Sequence, residues 1–123
     1  MDLKGATILV ADDELDLLEI LRRWLEREGA QVLTAANGEA ALALLAKNKV
    51  DAIVSDVRMP VMDGVEFARR VTAGADHPPI LFVSGFADID QKACAELGIT
   101  ALLPKPVRRQ DILDAVRRVL GGR

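Results

Sequence analysis

Ile8-Leu9-Val10-Ala11-Asp12-Asp13-Glu14 sets an uninterrupted apolar run directly against a pair of carboxylates. A strand with one wet face alternates polar and apolar residues, whereas a run that is apolar throughout has no wet face. Ile80-Leu81-Phe82-Val83 repeats the signature. Both segments are therefore read as central strands covered on either side. Outward from them, runs rich in β-branched residues fall at 6–11, 31–35, 52–55, 80–84 and 100–103, with helix-period segments between. Leu17, Leu18, Leu21, Trp24 and Leu25 share one helix face, and Gly29 supplies the stop. Gly38–Lys47 is rich in Ala and Leu behind a cap at Asn37. Asp63 and Glu66 have capping-box spacing ahead of Val65, Ala68 and Val71. A weaker helical pattern covers 88–97 and ends at Gly98. Ile112, Leu113, Val116, Val119 and Leu120 line a last helix, which Gly121-Gly122 ends.

Strict alternation of strand and helix means βαβ units, right-handed crossovers and a parallel sheet with helices on both faces. The fold class is α/β, doubly wound. Gln31-Val32-Leu33-Thr34 carries polar residues and suits an edge. The 123 residues suit one domain and show no repeat, low-complexity tract or linker. An ordered core is expected over about 6–120, with no effector domain inside these residues.

Half the residues are hydrophobic and 28% are charged, the balance of a folded soluble protein. Trp24, Phe67, Phe82 and Phe86 are the aromatics, so burial rests on Leu, Val, Ile and Ala. A net charge of -3 gives no global pull toward nucleic acid or anionic lipid. The arginine pairs Arg22-Arg23, Arg69-Arg70, Arg108-Arg109 and Arg117-Arg118 lie on different helices and read as solvated faces. Cys94, alone, cannot make an internal disulfide and reads as a small packing residue; Trp24 reads as core, and His77 as part of a surface loop. The start of the chain has no apolar h-region, and no run is long enough to span a bilayer. The cytoplasm is the expected compartment, without membrane contact.

In an open parallel sheet, functional groups gather beyond the carboxyl ends of the strands. Here the first strand runs into Asp12 and Asp13 and the third into Asp56. The fourth ends at Ser84, and the fifth leads through Pro104 to Lys105. Three carboxylates, a hydroxyl and an ammonium thus converge at one shallow site. Two like charges about 4 Å apart repel by roughly 4 kcal/mol at an effective dielectric of about 20, so the trio needs a cation. Hard oxygen ligands without nearby His or Cys point to Mg2+ rather than Zn2+. Lys105 adds a second, movable positive charge and Ser84 a donor. The set forms a clamp for a phosphoryl group in transfer, with Asp56 as the nucleophile.

Ile8–Glu14 resembles the acidic-pair strand of response-regulator receiver domains, and Asp56-Val57-Arg58-Met59-Pro60-Val61-Met62-Asp63-Gly64 resembles their phosphoacceptor segment. Val83-Ser84-Gly85 and Leu103-Pro104-Lys105-Pro106 match the hydroxyl strand end and the lysine-proline signature. The ordered set spans nearly the whole chain. The resemblance implies a flavodoxin-like fold, sheet order 2-1-3-4-5, and Mg2+ held by Asp12, Asp13, Asp56 and the backbone carbonyl of Arg58. It implies a cis peptide at Lys105-Pro106, which an X-Pro bond accommodates at modest cost. It further implies a phosphohistidine donor on a sensor histidine kinase or histidine phosphotransfer protein. Output would pass to a downstream protein through the face of the fourth helix, fifth strand and fifth helix, with homodimerisation on phosphorylation as a further expectation. Many receivers carry Tyr or Phe three residues before the lysine; here Leu102 stands there. Phe86 and Arg58 flank the site where the family varies, and their bulk or charge bears on water access.

Each motif taken alone admits another reading. Asp12-Asp13 alone would suit an N-cap pair, Ser84 a helix cap and Lys105 a solvated lysine; the ordered strand ends together favour the phosphoryl site. A haloacid-dehalogenase-type Mg2+ phosphatase also uses an aspartate nucleophile, but its motif resembles Asp-X-Asp, and this chain has adjacent Asp12-Asp13 and no length for a capping module. A pseudo-receiver working unphosphorylated through its surface would tolerate Leu102 but leaves the intact acidic set without a use. An FMN carrier would need a Ser/Thr/Gly phosphate loop after the first strand. The expectation is a phosphoacceptor switch and not a turnover enzyme, with at most slow self-dephosphorylation.

Overall fold

The computed structural model describes residues 3–85 and 89–121. Ten elements alternate: β1 (Thr7–Ala11), α1 (Leu15–Arg27), β2 (Gln31–Ala35), α2 (Gly38–Lys47), β3 (Ala52–Asp56), α3 (Gly64–Thr72), β4 (Ile80–Ser84), α4 (Gln91–Leu97), β5 (Ala101–Pro104) and α5 (Arg109–Gly121). The strands form one sheet in the order β2-β1-β3-β4-β5, every pair parallel. This is the flavodoxin-like arrangement, in which the order reverses beside β1 and β3.

The unbroken apolar runs have a direct cause. Side chains along a strand alternate faces, so a run apolar at every position feeds two cores at once. Ile8, Val10, Val54, Leu81 and Val83 pack with Leu18, Leu21 and Leu25 of α1 and with Ile112, Leu113 and Val116 of α5. Leu9, Ala11, Ile53, Ile80 and Phe82 pack on the opposite face with Ala41 of α2, Phe67 and Ala68 of α3 and Cys94 of α4. Fully burying one such side chain stabilises the fold by about 1.5–3 kcal/mol. β3 and β4 are buried along their whole length, and β2 at the edge exposes Gln31 and Thr34.

Helix starts follow local chemistry. Asn37 Oδ1 accepts the Ala40 N–H at 2.8 Å, and Asp63 Oδ1 accepts the Glu66 N–H at 2.9 Å. The Asp63–Glu66 box closes on one side only, because the Glu66 carboxylate instead binds Arg69 and Arg70 at 2.7 and 2.9 Å. Asp90 caps α4 through the Ala93 N–H, so that helix starts at Gln91 and not at 88; Phe86, Ala87 and Asp88 lie outside the described residues. Trp24 is half-buried at the margin of the core and not within it, lining a groove with Leu17, Ile20 and Val107. Cys94 is buried and His77 exposed. Arg22 and Arg23 pair with Glu19, Arg22 also with Glu26, and Arg109 and Arg117 with Glu28. Among the described residues, no helix is long and apolar enough to cross a membrane.

Candidate functional site

β1, β3 and β5 deliver their chemistry at one edge because parallel strands in register end together. Ala11 pairs with Ser55, Asp56 with Val83 and Ser84 with Pro104. Asp12 and Asp13 therefore follow β1 beside Asp56, the last residue of β3. One carboxylate oxygen from each of the three lies within 4.8 Å of the others. Asp12 and Asp56 are buried, at 1% and 4% exposure, and Asp13 faces solvent.

Lys105 reaches into this cluster from the end of β5. Its Nζ donates to Asp56 Oδ2 at 3.0 Å and to Glu14 Oε1 at 2.6 Å, and lies 3.6 Å from Asp12 Oδ2. Burial by itself would lower the Lys105 pKa, but the hydrogen bonds to Glu14 and Asp56 and the charges of Asp12 and Asp56 outweigh it. The ammonium stays protonated well above the ordinary lysine range. Asp12 shows the opposite balance. Burial is the largest cause pushing its pKa up, to about 6, with the charges of Asp56 and Glu14 adding to it. The Glu14 N–H, bonded to Asp12 Oδ1 at 2.8 Å, and the Lys105 charge act against that rise. Asp12 Oδ2 is buried and accepts no hydrogen bond among the described residues. A buried carboxylate oxygen without a donor costs free energy that a bound cation would relieve.

Oxygen is the donor of all three cluster residues, and such a set suits a hard divalent ion of the Mg2+ type. Ser84 ends β4, its Oγ donating to the Gly85 carbonyl at 2.9 Å. The Lys105 N–H donates to the Ser84 carbonyl at 2.8 Å, so the two residues are tied through their main chains. Arg58 is exposed beside Asp13, Met59, Pro60 and Asp63 around a shallow surface cleft of ≈ 380 Å³. Leu102 is half-buried against the α2–α3–α4 core and borders a cleft of ≈ 550 Å³ with Ser84, Ile89 and Lys105. The Lys105-Pro106 peptide is cis.

Two features escaped the sequence reading. Glu14 bonds Lys105 across 91 positions of chain, a pairing with no local signal. The loop after Asp56 is also clamped from both sides by glycines. A β-carbon on Gly64 would lie 2.1 Å from the Asp56 carbonyl oxygen, and one on Gly38 2.7 Å from the Met62 oxygen. Gly64 and Gly38 donate their N–H groups to the Val57 and Met62 carbonyls at 2.8 and 2.9 Å. Asp63-Gly64 in the sequence hinted at the first contact; nothing marked the second.

The model of the response regulator receiver domain family matches residues 8–117. The response regulator MprA of Mycobacterium sp. (strain KMS) is 37% identical over 114 residues, covering 92% of this chain and 50% of that protein. The transcriptional regulatory protein CpxR of Klebsiella pneumoniae is 34% identical over 113 residues, covering 92% of this chain and 48% of its own length. The chain thus spans about half the length of the curated relatives it matches. Among solved structures, the chemotaxis response regulator CheY4 of Vibrio cholerae superposes with a TM-score of 0.85 at 34% identity, covering 94% of this chain and 98% of that one. Residues 8–117 reach from β1 into α5, so the match is to a whole fold and not to one motif. On that ground the chain belongs to the response regulator receiver domain family of two-component signalling.

Proposed function

We propose that Asp56 accepts a phosphoryl group from a phosphohistidine on a sensor histidine kinase or histidine phosphotransfer protein, with Mg2+ as cofactor. One observation carries this reading: Asp12, Asp13 and Asp56 crowd within 4.8 Å of one another, with the Lys105 ammonium 3.0 Å from Asp56. Mg2+, held by the three carboxylates and the Arg58 carbonyl, would neutralise charge on the phosphoryl oxygens. A carboxylate oxygen of Asp56 forms the new P–O bond as the P–N bond to the donor imidazole breaks. The departing ring nitrogen takes up a proton. Lys105 and the Ser84 hydroxyl then bind phosphoryl oxygens, and because their main chains are joined, a pull on one is felt by the other.

The outcome is a switch and not turnover, apart from slow self-dephosphorylation. The switched surface is the α4–β5–α5 face, which borders the Ser84 and Lys105 loops. It would regulate a downstream protein, with homodimerisation of phosphorylated chains as one consequence. The chain works as one receiver domain in the cytoplasm and carries no effector within its 123 residues. Acetyl phosphate with Mg2+ should add one phosphate to the wild type and none to Asp56→Asn, read by intact mass. Equal labelling of the two proteins, or of neither, would defeat the reading.

A further inference from the structure

Lys105 has two carboxylate partners at hydrogen-bond distance, and one of them stands outside the acidic trio. Glu14 Oε1 lies 2.6 Å from Nζ, nearer than Asp56 Oδ2 at 3.0 Å. Glu14 occupies the N-cap of α1, with extended backbone at φ -83 and ψ 99, yet its side chain makes no capping bond. Caps favour Ser, Thr, Asp or Asn, whose short side chains turn back onto the helix N–H groups. The longer Glu14 side chain extends across to the end of β5 instead. It is 61% exposed, against 19% for Lys105, so water can take over its hydrogen bonds when the ammonium leaves.

Building on the phosphoacceptor reading above, we propose that Glu14 is a positioning residue that draws Lys105 outward in the unphosphorylated protein and so balances cation binding against phosphoryl binding. An ammonium has three N–H donors; here Glu14 and Asp56 each accept one, while Asp12 at 3.6 Å feels only the charge. While Glu14 holds one, the positive charge is shared away from Asp12 and Asp56, which leaves those carboxylates more attractive to a divalent ion. A phosphoryl group on Asp56 brings further negative charge and new acceptor oxygens, so Lys105 transfers its donors inward and releases Glu14. Neutralising Glu14 therefore acts oppositely on the two ligands. Lys105 falls back onto Asp56 and Asp12 and repels the cation; the phosphoryl group gains a free ammonium and loses a repelling neighbour. A residue that merely held α1 in place would weaken both.

The test compares the full chain with Glu14→Gln and Glu14→Asp. Mg2+ affinity is measured alone, and beryllofluoride, a phosphoryl mimic, is titrated at saturating Mg2+. Glu14→Gln should weaken Mg2+ by about two- to fivefold and tighten beryllofluoride by a similar factor, the scale of a partly exposed ion pair. Glu14→Asp, which keeps the charge one methylene back, should fall between. The NMR resonance of the Lys105 ammonium gives a readout that needs no mutation: beryllofluoride should abolish its coupling to the Glu14 carboxylate. Wild type that binds beryllofluoride, with Glu14→Gln affinities unchanged or both weakened, overturns this proposal alone; so does a Lys105–Glu14 coupling that survives saturation. Wild type that neither binds beryllofluoride nor takes up phosphate overturns the phosphoacceptor reading and this proposal with it.

Discussion

A β-carbon on Gly64 would sit 2.1 Å from the carbonyl oxygen of Asp56. No side chain fits such a gap, so the start of α3 presses directly on the main chain of the phosphoacceptor candidate. Gly64→Ala must either shift Asp56 or unwind the first turn of α3. We expect a loss of about 1–3 kcal/mol in denaturant unfolding, the scale of overpacking. Phosphoryl uptake from acetyl phosphate should slow by about tenfold or more, since small misplacements of reacting groups are costly. Unchanged uptake in a destabilised variant would show that Asp56 does not move.

Asp12 sets a pH dependence with a definite sign. Its folded pKa, about 6, lies above the ordinary value of 3.8, so between these values the folded state holds a proton that the unfolded state has lost. Metal-free stability should therefore fall as pH rises from about 4 to 6, by about 3 kcal/mol. Above that window the cost is constant. Asp12→Asn should remove the slope and melt higher than wild type in EDTA at pH 7. Mg2+ should bind more weakly below pH 6, where it must displace the proton.

Asp13 should behave differently from its neighbour. Crowding suggests that removing either carboxylate relieves the metal-free fold, yet only Asp12 is buried. Asp13→Asn should change metal-free stability by less than about 0.5 kcal/mol, as exposed substitutions do. Its Mg2+ affinity should still drop about tenfold or more. Calorimetry with and without Mg2+ separates the two effects.

Val61 holds φ at 68°, in the left-handed region, and is 76% exposed. A β-branched residue is strained there by about 1–2 kcal/mol, whereas Asn tolerates the conformation. Val61→Asn should raise stability by about 0.5–1 kcal/mol, seen as a higher melting temperature. A lower one would mean that the exposed valine makes a contact worth more than its strain.

Beryllofluoride with Mg2+ should shift backbone NMR signals through residues 89–97, and Leu102→Val should leave those shifts largely intact. Leu102 already fills its place between the core and the cleft beside Ser84 and Ile89, and α4 is a short helix of seven residues. Such elements tend to open at low free energy. Shifts confined to the surroundings of Asp56, or lost with Leu102→Val, would rule out a relay through α4.

The legible parts of the fold share one property: their cause is local. The apolar runs of β1 and β4 announced two-sided burial, and Asn37 and Asp63 announced the starts of α2 and α3. The convergence of Asp12, Asp13 and Asp56 needed only the rule that parallel strands end together. What stayed hidden depends on distance through space. Glu14 meets Lys105 only after four crossovers, and Trp24 is half-buried because the groove beside α1 is open, which helix periodicity does not register. The unequal burial of Asp12 and Asp13 stayed hidden as well, because both follow the end of β1 at Ala11, where strand alternation no longer applies.

Trp24 is the only tryptophan, and there is no tyrosine. It lines the same groove as Glu14 and Lys105. Redrawing Lys105 toward Asp56 would move a charge along that groove, and the emission of the indole should respond to it. The chain thus contains its own optical probe, placed in a groove that Glu14 and Lys105 also line. Emission from the unlabelled protein would report events at the pocket in real time, with no second indole or phenol to blur the signal.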